Sequence, residues 1–398
     1  MTVRRHLLVT NDFPPKIGGI QNYLWELWRR LPAGTASVYT TPYPGADEFD
    51  ADQPFAVTRS PEPVLIPHPW LPRRIDRLAR NTGSDLVILD PAIPLGAVGP
   101  NLTHPTAVVL HGAEVTIPGR IPALRWAMAR TLRACSLVIA AGGYPLAEAQ
   151  RCAGRDLPSV VVPPGVDTER FRPLIPERRS RVRSQYGVAD DDLLIVTVNR
   201  LVPRKGMDRL IRAVALVNNR RPPGGELGKV LAGGRVRAVI AGTGREEGRL
   251  RRLTNQLRAP VQLVGRLEDG GVAELYGAAD LMAMPCNSRW WGLEQEGFGI
   301  AFLEAAAAGI PQIAGRSGGA HEAVQAGVTG LVLDDPDSIN DLAAAIEFFF
   351  ANPEERKRMG RLARDRAQRD FGYEGLAKRL ARAIDACEAR STRSPGRS

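Results

Sequence analysis

Two carboxylates stand eight positions apart in the segment Glu296-Gly297-Phe298-Gly299-Ile300-Ala301-Phe302-Leu303-Glu304. The glycines should open a helix running to Ala308, and eight positions are just over two turns, so both carboxylates would share one face. Gly297 and Gly299 let a ligand approach the backbone, while the amides of Gly297, Phe298, Gly299 and Ile300 and the helix dipole suit an anion such as a diphosphate. In isolation such a pair is more commonly two solvated glutamates on a surface helix, so its neighbours decide. Asn199-Arg200-Leu201-Val202-Pro203-Arg204-Lys205-Gly206 directly follows the apolar run Leu194–Val198. Cations at the carboxyl end of a strand are placed to grip phosphates; Arg200 and Lys205 are the candidates, and Arg204 reads as a solvated turn residue. Gly18-Gly19 lies between the apolar run His6–Thr10 and a helical pattern, where amides meet phosphate groups. His111-Gly112-Ala113-Glu114 follows Ala107–Leu110 in the same way.

These groups need a scaffold that presents strand ends. Short apolar runs at His6–Thr10, Leu86–Leu89, Ala107–Leu110, Leu137–Ala140 and Val160–Val162 alternate with helix-length segments such as Ile20–Leu31. A second series follows at Leu194–Val198, Val236–Ala241, Val261–Val264, Leu281–Met284, Pro311–Ala314 and Gly330–Leu333. The alternation predicts α/β architecture: two doubly wound parallel sheets facing across a ligand cleft. At 398 residues the chain suits two domains. We place an N-terminal domain at 1–185 and a C-terminal domain at 186–372, divided by the polar stretch Pro173–Asp192. A helix at 373–390 should pack back onto the first domain, with a frayed tail at 391–398. Arg220–Arg235 reads as a long surface loop. Gly242-Thr243-Gly244-Arg245-Glu246-Glu247-Gly248 imitates a dinucleotide fingerprint, but its third glycine comes one residue late and it lies deep in the chain.

Together these motifs resemble glycosyltransferase family 4, whose hallmark is two glutamates separated by seven residues. The resemblance runs from Thr10 to about Asp334. It implies a GT-B fold, retention of configuration, a nucleotide-sugar donor in the C-terminal domain and an acceptor in the N-terminal one. It assigns Glu296 to hydroxyls of the transferred sugar and Glu304 to the ribose. Arg200 and Lys205 become the diphosphate pair, and Gly18, Gly19 and Gly242 donor contacts. Val264, Gly265 and Arg266 would meet the base, His111 the reacting sugar, and Gln21 the acceptor. Within the family, the Asn11-Asp12-Phe13-Pro14-Pro15 start and Met284-Pro285-Cys286 are most similar to the actinobacterial GDP-mannose-dependent phosphatidylinositol monomannoside mannosyltransferases. That branch implies GDP-mannose as donor, an anionic lipid acceptor and addition of the second mannose, alpha-1,6-linked. Ala113 and the Trp290-Trp291 pair depart from the pattern, at the acceptor side and the donor rim. A UDP-sugar transferase acting on a soluble glycan or small polyol, and a sugar-nucleotide-binding protein without turnover, remain open.

Net charge +10 suits an anionic partner without choosing which; neither a nucleic acid nor a protein partner is required by these motifs. There is no Asp-x-Asp signature, so no obligatory metal or other cofactor is expected. Four widely spaced cysteines point to a reducing cytoplasm, and no run approaches a membrane span. Membrane contact would be peripheral, at the inner face. Trp70–Arg80 predicts a basic amphipathic helix with Leu71, Ile75 and Leu78 on one face and Arg73, Arg74, Arg77 and Arg80 on the other. Arg73, Arg74 and Arg77 are thus candidate acceptor contacts. Tyr23, Trp25, Trp28, Arg120, Arg125, Trp126, Arg130 and Arg133 lie in the same half. Packing of the apolar face on the sheet is the equally weighted alternative.

Overall fold

The computed structural model describes residues 4–116, 119, 121–220, 234–290 and 294–387. Two compact units divide the chain: Met1–Gly165 with Tyr373–Ser398, and Val166–Gly372. In the first unit seven parallel strands follow in sequence: β1 (His6–Thr10), β2 (Ala36–Thr40), β3 (Ala56–Arg59), β4 (Leu86–Asp90), β5 (Thr106–Leu110), β6 (Leu137–Ala140) and β7 (Ser159–Val161). They lie in the order β3-β2-β1-β4-β5-β6-β7. The second sheet is also parallel, from β8 (Leu193–Val198), β9 (Val236–Ala241), β10 (Val261–Gly265), β11 (Leu281–Met284), β12 (Gln312–Gly315) and β13 (Gly330–Leu333), ordered β10-β9-β8-β11-β12-β13. The central strands β1, β4 and β5 are buried throughout, as continuous apolar runs with helices on both faces must be. In each unit the strand order reverses beside the first strand, between β1 and β4 and between β8 and β11. Ligands bind outside the carboxyl ends at such switch points.

Several expectations shift. β2 and β3 have no counterpart in the sequence pattern: β2 reads Ala-Ser-Val-Tyr-Thr and β3 is a half-exposed edge strand, so neither shows a strong apolar run. The second unit begins at Val166 rather than 186. The polar stretch holds a helix, Pro176–Gln185, fastened to that unit through Arg183. Its guanidinium is fully buried and bonds Asp280 at 2.8 Å and the carbonyls of Ala189 and Asp192 at 2.7 Å each. Tyr373–Asp385 is a helix of the first unit, burying Leu376, Leu380 and Ile384 in its core. The tail 391–398, residues 388–390, most of the Arg220–Arg235 loop, Arg120 and Trp291–Leu293 lie outside the described residues. Among the described residues no helix is long and apolar enough to cross a membrane, and the four cysteines are buried and form no disulfide.

Candidate active site

In the second unit the loop after β8 and the segment after β11 approach each other at the switch point. Gly206, at φ 74°, turns the chain into the helix Met207–Asn219. Asn287 N donates to the Arg204 carbonyl at 2.9 Å. Glu296 sits against that loop, 7% exposed. Its Oε2 accepts Lys205 Nζ at 2.7 Å and Arg204 Nη1 at 3.0 Å. Burial alone would raise the pKa of the Glu296 carboxyl, but Lys205, Arg204 and the more distant Arg200 outweigh it and hold it below the usual range. A buried carboxylate thus stays ionised among a surplus of cations. Arg200 itself is exposed.

The glutamates do not share a helical face. The helix runs Ile300–Ala307, entered from Gly299 at φ 85°, so Glu296 precedes it on a loop and Glu304 lies in its second turn. The loop is cradled by Ser317-Gly318-Gly319. Glu296 N donates to Ser317 Oγ at 3.3 Å and Gly319 N to the Glu296 carbonyl at 3.0 Å. A β-carbon at Gly318 would come within 2.1 Å of that carbonyl oxygen. Gly297 is exposed, Phe298 and Gly299 are buried, and Ile300 is half-buried. Glu304 stands near Tyr276, whose pKa is raised well above normal by burial and by the Glu304 charge.

The Gly242–Gly248 turn serves the same loop. A β-carbon at Gly242 would lie 1.9 Å from the Asn199 carbonyl oxygen, and one at Gly244 2.3 Å from that of Leu201. Leu201 N donates to the Thr243 carbonyl at 2.9 Å. The glycines therefore permit backbone-on-backbone packing beside Arg200. Val264 is half-buried, Gly265 has φ 73° with open space beside it, and Arg266 is exposed.

In the first unit, polar groups gather at the ends of β1, β4 and β5. His111 Nε2 is 2.6 Å from Asp90 Oδ1; Asp90 Oδ2 accepts Thr10 Oγ1 at 2.6 Å, and Asp12 N donates to Thr10 Oγ1 at 2.8 Å. Glu114 accepts the backbone amides of His111 and Gly112. Tyr23 meets the imidazole edge-on, with centroids 5.5 Å apart. Burial opposes the imidazolium, but Asp90, Glu114 and Asp12 outweigh it and raise the His111 pKa. Gly18 and Gly19 are exposed, Gly18 capping and Gly19 opening the helix Gly19–Trp28. Gln21 is not a free contact: it is 7% exposed and donates Nε2 to Asp12 at 2.6 Å, beside Lys16 at 2.8 Å on the same oxygen. The Asn-Asp-Phe-Pro-Pro start is a loop clip. Asn11 pairs both amide atoms with the Leu65 backbone, Phe13 is buried among Phe49 and Phe55, and Arg59 holds the Pro14 carbonyl.

The basic helix spans Leu71–Asn81 and buries Leu71, Ile75 and Ala79 in the core. Its apolar face is consumed by the core, and the exposed positions are Arg73, Arg77, Arg80 and Asn81. Arg73 and Arg77 are exposed, whereas Arg74 is paired with Glu62 at 2.6 Å and Tyr39 at 3.2 Å. Trp70, Ile121, Leu124 and Trp126 are exposed apolar side chains of this unit.

Sequence reasoning missed Arg204, Asp90, Thr10 and the Ser317–Gly319 cradle. Asp90 carried a readable signal: a lone acid ending the apolar run Leu86–Leu89. Arg204 did not, because adjacent cations in a turn look alike. Among the described residues no group of three or more His, Cys, Asp and Glu could hold a metal ion.

Two family profiles divide the chain: Glycosyltransferase Family 4 over residues 17–170 and Glycosyl transferases group 1 over 178–366. The GDP-mannose-dependent alpha-(1-6)-phosphatidylinositol monomannoside mannosyltransferase of Mycolicibacterium smegmatis is 35% identical over 94% of this chain and 97% of its own. A GDP-mannose-dependent monoacylated alpha-(1-6)-phosphatidylinositol monomannoside mannosyltransferase of Corynebacterium glutamicum is 33% identical over 95% and 97%. Among solved structures, Anabaena Alr3699/HepE in complex with UDP and glucose superposes with TM-score 0.75 at 22% identity, covering 96% of this chain and 100% of that one. A Thermosynechococcus elongatus sucrose-phosphate synthase gives TM-score 0.72 at 20% identity, covering 95% and 98%. These likenesses show the GT-B fold.

Proposed function

The chain belongs to glycosyltransferase family 4, and on that footing we propose that it moves mannose from GDP-mannose, with retention, onto a phosphatidylinositol mannoside. The product would carry the second mannose in alpha-1,6 linkage. The observation that carries the reading is the buried Glu296 carboxylate held ionised between Lys205 and Arg204, with Arg200 nearby. Mannose, guanine nucleotide and lipid are supported by the full-length likeness to enzymes named for that activity.

In this scheme the diphosphate meets Arg200, Lys205 and the amides from Gly297 to Ile300, which stabilise its charge as the sugar departs. Glu296 orients sugar hydroxyls, Glu304 the ribose, and Gly242 and Val264–Arg266 the nucleotide. The acceptor hydroxyl attacks from the face the diphosphate leaves, and a leaving phosphate oxygen takes its proton. Neither glutamate is a nucleophile, and no divalent ion is required. On the acceptor side, Arg73 and Arg77 are available at once, whereas Arg74 would have to leave Glu62 and Gln21 leave Asp12. Exposed Trp70 and Trp126 with these cations suit peripheral attachment to an anionic membrane, here assigned to the inner face of the plasma membrane. A second reading, a UDP-sugar transferase with a soluble glycan or polyol acceptor, draws on solved neighbours bound to UDP. Binding without turnover is disfavoured by the assembled Glu296, Arg200 and Lys205 set.

The test is radiolabelled transfer in EDTA from GDP-mannose and from UDP-glucose. The acceptors are phosphatidylinositol, its monomannoside and a soluble sugar. Mannose passing only to the monomannoside is expected, with Glu296→Gln lowering kcat about 100- to 1,000-fold. Use of UDP-glucose or of the soluble acceptor alone would reject the lipid assignment.

A further inference from the structure

Lys205 and Arg204 converge on one oxygen of Glu296. Glu296 and Lys205 are each only 7% exposed, so two cations share one carboxylate in a space poor in water. Such a cluster is short of negative charge until an anion enters. The diphosphate role accounts for Arg200 and Lys205 and leaves Arg204 without one.

The two cations differ in freedom. The Arg204 carbonyl accepts Asn287 N at 2.9 Å, and Asn287 Nδ2 donates to Asp337 at 3.0 Å. Arg204 is thereby tied to the segment after β11, and a planar guanidinium holds its partner in a fixed geometry. An ammonium on a four-carbon stem is a compact charge that reorients easily. An arriving diphosphate brings more negative charge than Glu296 and competes for Lys205. Without a second cation, Glu296 would be left buried and unpaired at the moment it must hold the sugar.

We propose that Arg204 is a positioning residue that stays on Glu296 when Lys205 turns to the donor diphosphate, keeping that carboxylate paired and aimed at the transferred sugar. The inference rests on the donor site proposed above. Among the described residues, the charged and titratable groups that act on Glu296 include Arg200, Arg204 and Lys205 from the loop after β8, and Cys286 after β11.

The experiment compares Arg204→Gln, Arg204→Lys and Lys205→Gln in the full chain, by calorimetric GDP binding and by kcat and KM from about pH 3.5 to 8. Lys205→Gln should weaken GDP binding about tenfold or more, while Arg204→Gln leaves it within about twofold. Arg204→Gln should lower kcat about 30-fold and move its acid limb up by about one pH unit, and Arg204→Lys should restore most of the rate. Placed on Glu296→Gln, Arg204→Gln should change kcat less than about twofold, since the partner is already gone. If Arg204→Gln weakens GDP as Lys205→Gln does, or is equally costly without Glu296, the positioning role is wrong and the donor site stands. Wild-type protein that binds neither GDP nor UDP would remove the donor site and this inference together.

Discussion

Replacing Gly242 by alanine tests how far the basic loop depends on its backbone support. The new methyl carbon would lie 1.9 Å from the Asn199 carbonyl oxygen, about 1.5 Å short of the 3.4 Å at which ordinary contact begins. The obstacle is backbone and cannot swing aside. Gly242 also has φ 127°, outside the range open to residues with a β-carbon, at a cost of about 1–3 kcal/mol. Overpacking adds about 1–3 kcal/mol, giving roughly 2–6 kcal/mol and a fall in Tm of about 4–24 °C for a unit of this size. Relief by movement would displace Asn199 and, through the Leu201–Thr243 bond, the turn bearing Arg200 and Lys205. GDP affinity should drop about tenfold or more. Gly248→Ala is the control. It lies in the helix Glu247–Leu257 with nothing nearer than Arg252 Nη1 at 3.8 Å, so it should be neutral or stabilising by up to about 1 kcal/mol. Calorimetric melting and GDP titration read both variants. A Gly242→Ala protein that melts and binds like wild type would refute the reasoning. So would loss of nucleotide binding in Gly248→Ala, which is what a dinucleotide fingerprint requires.

His6 is fully buried, and burial lowers its pKa to about 4 from 6.5. The unfolded chain takes up that proton first, so its contribution of about 3 kcal/mol is complete above pH 6.5 and is lost as pH falls towards 4. Urea unfolding across that window should show the slope, and His6→Leu should flatten it. Asp90→Asn should lower the His111 pKa, followed by the imidazole NMR signal. Because pairing raises that pKa in the folded state, the part of the stability lost in Asp90→Asn that is linked to His111 is greatest below pH 6.5 and vanishes as pH rises through the folded value. In flotation with anionic vesicles, Arg73→Gln and Arg77→Gln should each weaken binding by about 1 kcal/mol and Arg74→Gln by much less. Equal effects at all three would deny the Glu62 pairing its consequence.

The sheets were legible because buried parallel strands are continuous apolar runs, as β4 and β6 are. β2 and β3 were not, since small and polar residues toward a sheet edge resemble loop. The Glu296, Lys205 and Arg200 neighbourhood could be read from strand-end motifs, because a switch point gathers strand ends whatever the intervening sequence. What failed was local geometry. Periodicity placed Glu296 on a helix that starts at Ile300, since a glycine at positive φ can delay helix entry by several residues without leaving a trace in spacing. Likewise Gln21 and Arg74 looked available. Their partners, Asp12 and Glu62, are nine and twelve positions away, and no pattern in the chain announces such pairings.

The first unit draws its last helix, Tyr373–Asp385, from beyond the whole of the second. During synthesis the first unit therefore leaves the ribosome with an apolar surface of the helix Gly19–Trp28 and of β6 and β7 uncovered, while some two hundred further residues are still to be made. The second unit is a continuous stretch and can close first. A protein cut after Gly372 should accordingly lose the solubility of its opposite end, and neither half of the gene, expressed alone as a contiguous fragment, encodes a finished first unit.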